Sequence, residues 1–155
     1  MDIKGIKKVR PKKRPFFCKL IYNDGKILTS HYHNLRGRPD VIFSRFLTGG
    51  LLPMEIKSGE AKDMPYYGDV MQLVAYFVII EEVFGRKPRK GFLRYCNAMF
   101  VVKNGKKRRK ELLQTVQDMR RMLETSQGTA APSFVRCRHC VARDTVCEFA
   151  EHQLN

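Results

Sequence analysis

Asp40 and the run Glu55-Ile56-Lys57 are the residues whose types and spacing point most directly to chemistry. Residues two apart on a strand point to the same side, so Glu55 and Lys57 are expected to project together from one face while Ile56 enters the core between them. A carboxylate beside an ammonium suits metal-assisted phosphodiester hydrolysis, provided that a second carboxylate arrives from a neighbouring strand. Asp40, fifteen positions before Glu55, would supply it, since Mg²⁺ uses one or two carboxylates plus water and substrate oxygens. The lysine would then orient the attacking water or stabilise charge on the scissile phosphate. Glu-x-Lys alone also fits an exposed ion pair without function.

Two further groups have chemical potential. Gln72 and Tyr76 stand at i and i+4 of an apolar helix, so they share one face, and their polar ends need partners that a site at the strand ends would supply. Cys137-x-x-Cys140 followed by Cys147 offers three thiolates to one metal, the first pair from a tight turn. The fourth ligand is open among Cys18, Cys96, His139 and His152, although the apolar and aromatic neighbours of Cys96 read more like core packing. Zn²⁺ would accept Cys₃His equally well.

The elements that must position these residues can be read in order. Lys4 to Arg14 holds seven Lys or Arg in eleven positions and is expected to run as a solvated arm. Runs 16–22 and 26–33 read as strands joined in a hairpin at Asn23-Asp24-Gly25. Strands over 40–43 and 51–57 follow, separated by Gly49-Gly50. From Asp69 to Phe84 an almost all-round apolar pattern predicts a buried helix stopped by Gly85. Residues 91–102 read as a further strand, folded as a hairpin. A second helix over 107–125 gathers Leu112, Leu113, Val116, Met119, Met122 and Leu123 on one face. The class is therefore mixed α/β: one domain, with a basic arm over 1–15, a core over 16–128 and a Cys-rich tail over 129–155.

Composition narrows the partners. Over 155 residues, 30 Lys and Arg against 15 Asp and Glu leave a net charge of +15, while 43% apolar residues suffice to bury a core. A polyanion is the expected partner, nucleic acid first. The basic stretches 1–15, 86–90 and 103–110 would contact phosphates, and Tyr66, Tyr67 and His139 could stack on unpaired bases, giving sequence-tolerant single-strand binding. No apolar run reaches the roughly 20 residues of a membrane span, so the expectation is a soluble, cytoplasmic protein.

Four motifs in order, Gly37-Arg38-Pro39-Asp40, Glu55-Ile56-Lys57-Ser58-Gly59, Gln72-Leu73-Val74-Ala75-Tyr76 and Cys137-x-x-Cys140-x6-Cys147, resemble the RecB-like PD-(D/E)XK nucleases, most closely the CRISPR-associated Cas-four exonuclease family. The resemblance implies a restriction-endonuclease-like mixed sheet flanked by helices, and a Mg²⁺- or Mn²⁺-dependent DNase acting on single-stranded DNA ends. It implies Asp40 and Glu55 as metal ligands assisted by the Ile56 carbonyl, Lys57 as the catalytic lysine, and Gln72 and Tyr76 as the DNA-facing pair. It further implies a 4Fe-4S cluster on four cysteines, Cys18 being the nearest analogue of the fourth by chain order. The biological role implied is trimming of fragments in CRISPR adaptation, with integrase proteins as partners. The front end departs from the family pattern, in which a helical segment carries a cluster cysteine and a metal-binding His precedes the Asp by a long interval. Cys18 lies in a strand-like run and His31 and His33 stand close to Asp40, so the N-terminus reads as truncated or divergent.

Overall fold

The computed structural model describes residues 5–10, 15, 17–23 and 25–128, together with Cys137, Cys140 and Cys147. In chain order the elements are β1 (Ile6–Val9), β2 (Cys18–Tyr22), β3 (Leu28–Ser30), β4 (Leu35–Gly37), β5 (Val41–Arg45), β6 (Leu51–Ile56), α1 (Tyr67–Phe84), β7 (Lys90–Arg94), β8 (Met99–Lys103) and α2 (Lys106–Thr125). The fold is mixed α/β. A six-stranded sheet runs β1-β8-β7-β6-β5-β2, and β3 with β4 forms a separate two-stranded sheet. All pairs are antiparallel except β6 with β7. A parallel pair needs a long crossover, and α1 is that connection.

The chain divides into two compact units, 1–115 and 116–155. The boundary falls inside α2. In the first unit, α1 packs against β3, β4, β6 and β7. Its side chains Leu73, Phe77 and Ile80 are fully buried, as are Ile42, Leu93, Phe100 and Val102 of the sheet, each worth about 1.5–3 kcal/mol on full burial. Gly85 ends the helix at a φ of 62°, the left-handed conformation that a glycine tolerates. Two other glycines allow close approach: a Cβ on Gly91 would lie 2.8 Å from Phe77, and one on Gly37 would lie 2.7 Å from the Tyr76 ring. The opposite face of the sheet carries a second apolar cluster of Cys18, Phe43, Leu52, Met54, Phe92 and Met99.

Several expectations need correction. Ile6–Val9 does not run solvated. It pairs with β8 as an edge strand, which costs no burial of charge because Lys7 and Lys8 remain exposed. The hairpin at Asn23-Asp24-Gly25 does not form: β2 pairs with β5 and β3 with β4, while Asp24 itself lies outside the described residues. The short β3–β4 hairpin is held by Glu82 of α1, whose carboxylate accepts the Ser30 hydroxyl and the His31 and Tyr32 amides at 2.8 and 3.1 Å. Ile56 does not enter the core. It is 46% exposed, because the alternation along β6 gives the inward position to Glu55, which α1 meets through Gln72.

In the second unit the helix face anticipated for α2 is largely open. Met119, Met122 and Leu123 are exposed, and within α2 only Arg108 and Leu112, both before the boundary, are buried.

Candidate active site

β5 and β6 run antiparallel with Val41 opposite Met54, so Asp40, immediately before β5, arrives beside Glu55 near the end of β6. Asp40 is exposed and its Oδ2 accepts the Ile56 amide at 2.6 Å. Lys57 follows the strand, its amide bonded to the Arg94 carbonyl at 2.8 Å. That bond fixes the chain direction at the point where the ammonium turns towards α1.

The helix supplies the roof. Gln72 and Tyr76 are four residues apart and share a face, as the period of an α-helix requires. Lys57 Nζ donates to Glu55 Oε1 at 3.2 Å and to Gln72 Oε1 at 2.7 Å. Gln72 Nε2 donates to Glu55 Oε1 and to the Tyr76 hydroxyl, both at 2.8 Å, and that hydroxyl donates to the Arg38 carbonyl at 3.3 Å. The motif around Asp40 and the motif around Gln72 thus touch, and they do so where Gly37 lets the Tyr76 ring come close.

Two residues join the network that local spacing did not single out. Asp69 Oδ1 lies 3.3 Å from Lys57 Nζ, and its other oxygen accepts the Tyr95 hydroxyl, which itself accepts the Tyr66 amide at 3.2 Å. Asp69 is three residues before Gln72, so helical period alone could have found it. Tyr95 follows β7 and carries no such local signal.

The electrostatics follow from these contacts. Burial pushes the Glu55 carboxyl above its ordinary range, and the nearby Asp40 charge adds to that, against the Lys57 ammonium and the Asp40 amide dipole. Burial alone would lower Lys57, but its bonds to Glu55 and Asp69 outweigh this and raise it. Lys57 is therefore a firm cation at neutral pH, a donor and not a base. Burial also raises Tyr76, against the opposing bond from Gln72. One atom of this network is left over: Glu55 Oε1 receives two side-chain donors, whereas Glu55 Oε2 is buried and, among the described residues, has no hydrogen-bond partner.

The remaining expected residues fall elsewhere. Cys18 lies in a strand, as its run suggests, and is buried in the apolar cluster of the sheet, whereas Cys96 is exposed in the turn after β7, with its Sγ 2.8 Å from the Ser58 carbonyl. Cys96 is therefore no core residue. A turn offers it no apolar layer to enter, whereas Cys18 lies on β2 beside β5 and belongs to the apolar cluster of the sheet. Cys137 is buried, Cys147 half-buried and Cys140 exposed, with the Cys140 amide bonded to the Cys137 carbonyl at 3.0 Å. Among the described residues no three His, Cys, Asp or Glu side chains gather into a metal-holding group; His139 and His152 lie outside them. Tyr66 is exposed, its ring edge-on to Tyr95, and Tyr67 is tied by its hydroxyl to Glu111. Among the described residues no helix is long and apolar enough to cross a membrane. No protein-family model matches the chain, and no curated protein matches it.

Proposed function

We propose that the chain is a Mg²⁺- or Mn²⁺-dependent deoxyribonuclease of the RecB-like PD-(D/E)XK type, acting as an exonuclease on single-stranded DNA ends. The observation that carries this reading is the partnerless Glu55 Oε2, buried beside the Asp40 charge. A buried carboxylate oxygen without a donor is costly, by about 1–3 kcal/mol or more for a charged group, and two neighbouring carboxylates repel. A hard cation removes both penalties, and two carboxylates are the protein share that Mg²⁺ commonly takes. Asp40 and Glu55 would hold the ion, with the Ile56 carbonyl assisting. When bound, the ion would polarise a phosphoryl oxygen and lower the pKa of a bound water.

The chain's own residues do the rest. Lys57, held cationic by Glu55 and Asp69, offers its charge to the scissile phosphate. Gln72 fixes Lys57 and Glu55 relative to each other by bonding both, and Tyr76 orients Gln72 from the far side. The resemblance to the Cas-four family extends the proposal to CRISPR adaptation in the cytoplasm, with integrase proteins as partners. It extends also to a 4Fe-4S cluster on Cys137, Cys140 and Cys147 with Cys18 as the fourth ligand, or to Zn²⁺ in its place. The Cys137–Cys140 turn suits a pair of thiolates on one metal, whereas the apolar surroundings of Cys18 do not favour it as a ligand.

Digestion of end-labelled single-stranded DNA with Mn²⁺ or Mg²⁺ tests the reading. The wild type is expected to shorten the strand, with no shortening by Glu55→Ala and at least about a hundredfold slower shortening by Lys57→Ala. A second reading is a DNA-binding assembly subunit that keeps the fold without the chemistry, which the net charge of +15 would serve equally well. Tight binding with no metal-dependent cleavage selects it.

A further inference from the structure

The other end of the sheet carries two cavities and a cluster of basic side chains. β6 and β7 are parallel, so Leu51 and Lys90 share the end remote from Glu55, four residues or roughly 13 Å along β6. Two cavities of about 580 and 520 Å³ open there and share Arg45, Thr48, Leu52 and Lys90. One has an apolar floor that includes Leu52, Phe92 and Val101, with Phe17 and Leu47 among its walls. The other gathers Lys87, Arg89 and Lys103 around the shared Arg45 and Lys90. Among the described residues no acidic side chain lines either cavity.

The crowding of charge is built into the fold. Lys90 and Lys103 are direct cross-strand partners, an arrangement that opposes pairing between like charges. The basic stretches 86–90 and 103–110, separate in the chain, are joined here by the Asn104 amide bond to Arg89 and the Asn104 side-chain bond to Pro88. Glu81 is paired with Arg109 at 2.6 Å and lies 4.0 Å from Lys87. Among the described residues Arg45, Arg89, Lys90 and Lys103 have no carboxylate partner. Beside them, Phe17 is 78% exposed with a φ of 51°, a left-handed backbone that a bulky residue rarely adopts, and its carbonyl is held by the Phe46 amide at 3.1 Å.

Unneutralised cations beside an exposed aromatic ring and an apolar cleft are the features by which proteins hold single-stranded nucleic acid, phosphates on the charges and bases on the rings. We propose that this end of the sheet is a second binding site for single-stranded nucleic acid, with phosphates on Arg45, Lys90 and Lys103 and a base in the cleft beside Phe17 and Phe92. A cleft of about 580 Å³ is within the ordinary range for a small organic group. A lipid surface would meet the charges but leave the cleft unfilled. The assignment rests on the proposed function only for the class of strand, not for hydrolysis at Glu55.

The test is binding of fluorescent oligo-deoxythymidylate, and of an abasic strand of equal length, to the full chain without divalent metal. Arg45→Glu with Lys90→Glu should weaken oligo-deoxythymidylate binding by at least about tenfold and flatten its salt dependence, each lost phosphate contact removing about 0.7 from the log-log slope. Phe17→Ala should weaken the thymidylate strand and leave the abasic strand unchanged. Lys87→Ala with Arg89→Ala gives a milder variant whose binding should also fall, should the charge reversal fail to fold. Unchanged affinity and slope in the charge variants, or equal displacement of the strand by an acidic peptide or by anionic lipid vesicles, overturns the assignment. Loss of binding in these variants while the wild type cleaves nothing removes the hydrolase but keeps this site. Unchanged binding alongside cleavage that depends on Glu55 does the reverse.

Discussion

The two ends of β6 carry opposite chemistry by opposite means. At the Glu55 end, Lys57, Gln72, Tyr76 and Asp69 are locked to one another under α1, and one buried oxygen is left without a partner. At the Leu51 end, Arg45, Lys90 and Lys103 crowd together on an open face with no acid among them. The first arrangement is preorganised: its groups are held before any ligand arrives, as electrostatic catalysis demands. The second is a field, adjustable in its long side chains and suited to holding a chain whose sequence does not matter. On the proposed reading, the difference would let one small sheet separate chemistry from grip.

The largest effect expected from breaking that contrast is on cleavage. Glu55→Gln should lower the rate by at least about a hundredfold while leaving metal-free binding of single-stranded DNA within about twofold, measured by gel digestion and by anisotropy. Equal losses in both would mean that the two ends are not separable.

Next comes stability. Leu73 is fully buried on the inner face of α1, so Leu73→Ala should cost about 2–5 kcal/mol in urea unfolding. Leu47, 95% exposed at the other end, should change stability by no more than about 0.5 kcal/mol when replaced by Ala.

Gly37→Ala is expected to act through the site. Its Cβ would displace the Tyr76 ring, so cleavage should fall more than melting temperature does. A loss confined to stability would separate Gly37 from the site.

The smallest effects are in pH dependence, and two glutamates that meet α1 differ in sign. Glu55 is raised, so the folded metal-free chain binds its proton more tightly than the unfolded chain. Its contribution to stability therefore falls as pH rises from about 4.5 through the raised value. Glu55→Gln should remove that fall and raise the melting temperature at neutral pH. Glu82 is lowered, first by the Ser30 hydroxyl and then by the Tyr32 amide, so its contribution is present above about 4.5 and lost as pH falls through the lowered value. Glu82→Gln should make the acid limb of a pH–stability curve shallower.

Much of the acidic end was legible because its spacings are local. A separation of two on a strand and of four on a helix sets which side chains share a face, whatever the rest of the chain does. Asp69 obeyed the same rule and was missed because Asp at a helix start reads as an ordinary first-turn acid. What was not legible depends on distant strands. The alternation along β6 is right, but which face α1 covers decides that Glu55 is buried and Ile56 exposed. Cys18 is buried in an apolar cluster with residues of distant strands, which its neighbours in sequence do not foretell. Charge along the first residues argued for a solvated arm, yet an edge strand asks only for backbone partners, and β8 supplies them.

The central claim is that Asp40 and Glu55 together hold one divalent cation next to Lys57. Calorimetric titration of the metal-free wild type with Mn²⁺, set beside Asp40→Asn and Glu55→Gln, tests it without any substrate. One Mn²⁺ bound by the wild type and lost in both variants is the predicted result; equal binding by all three proteins, or none by the wild type, would contradict it.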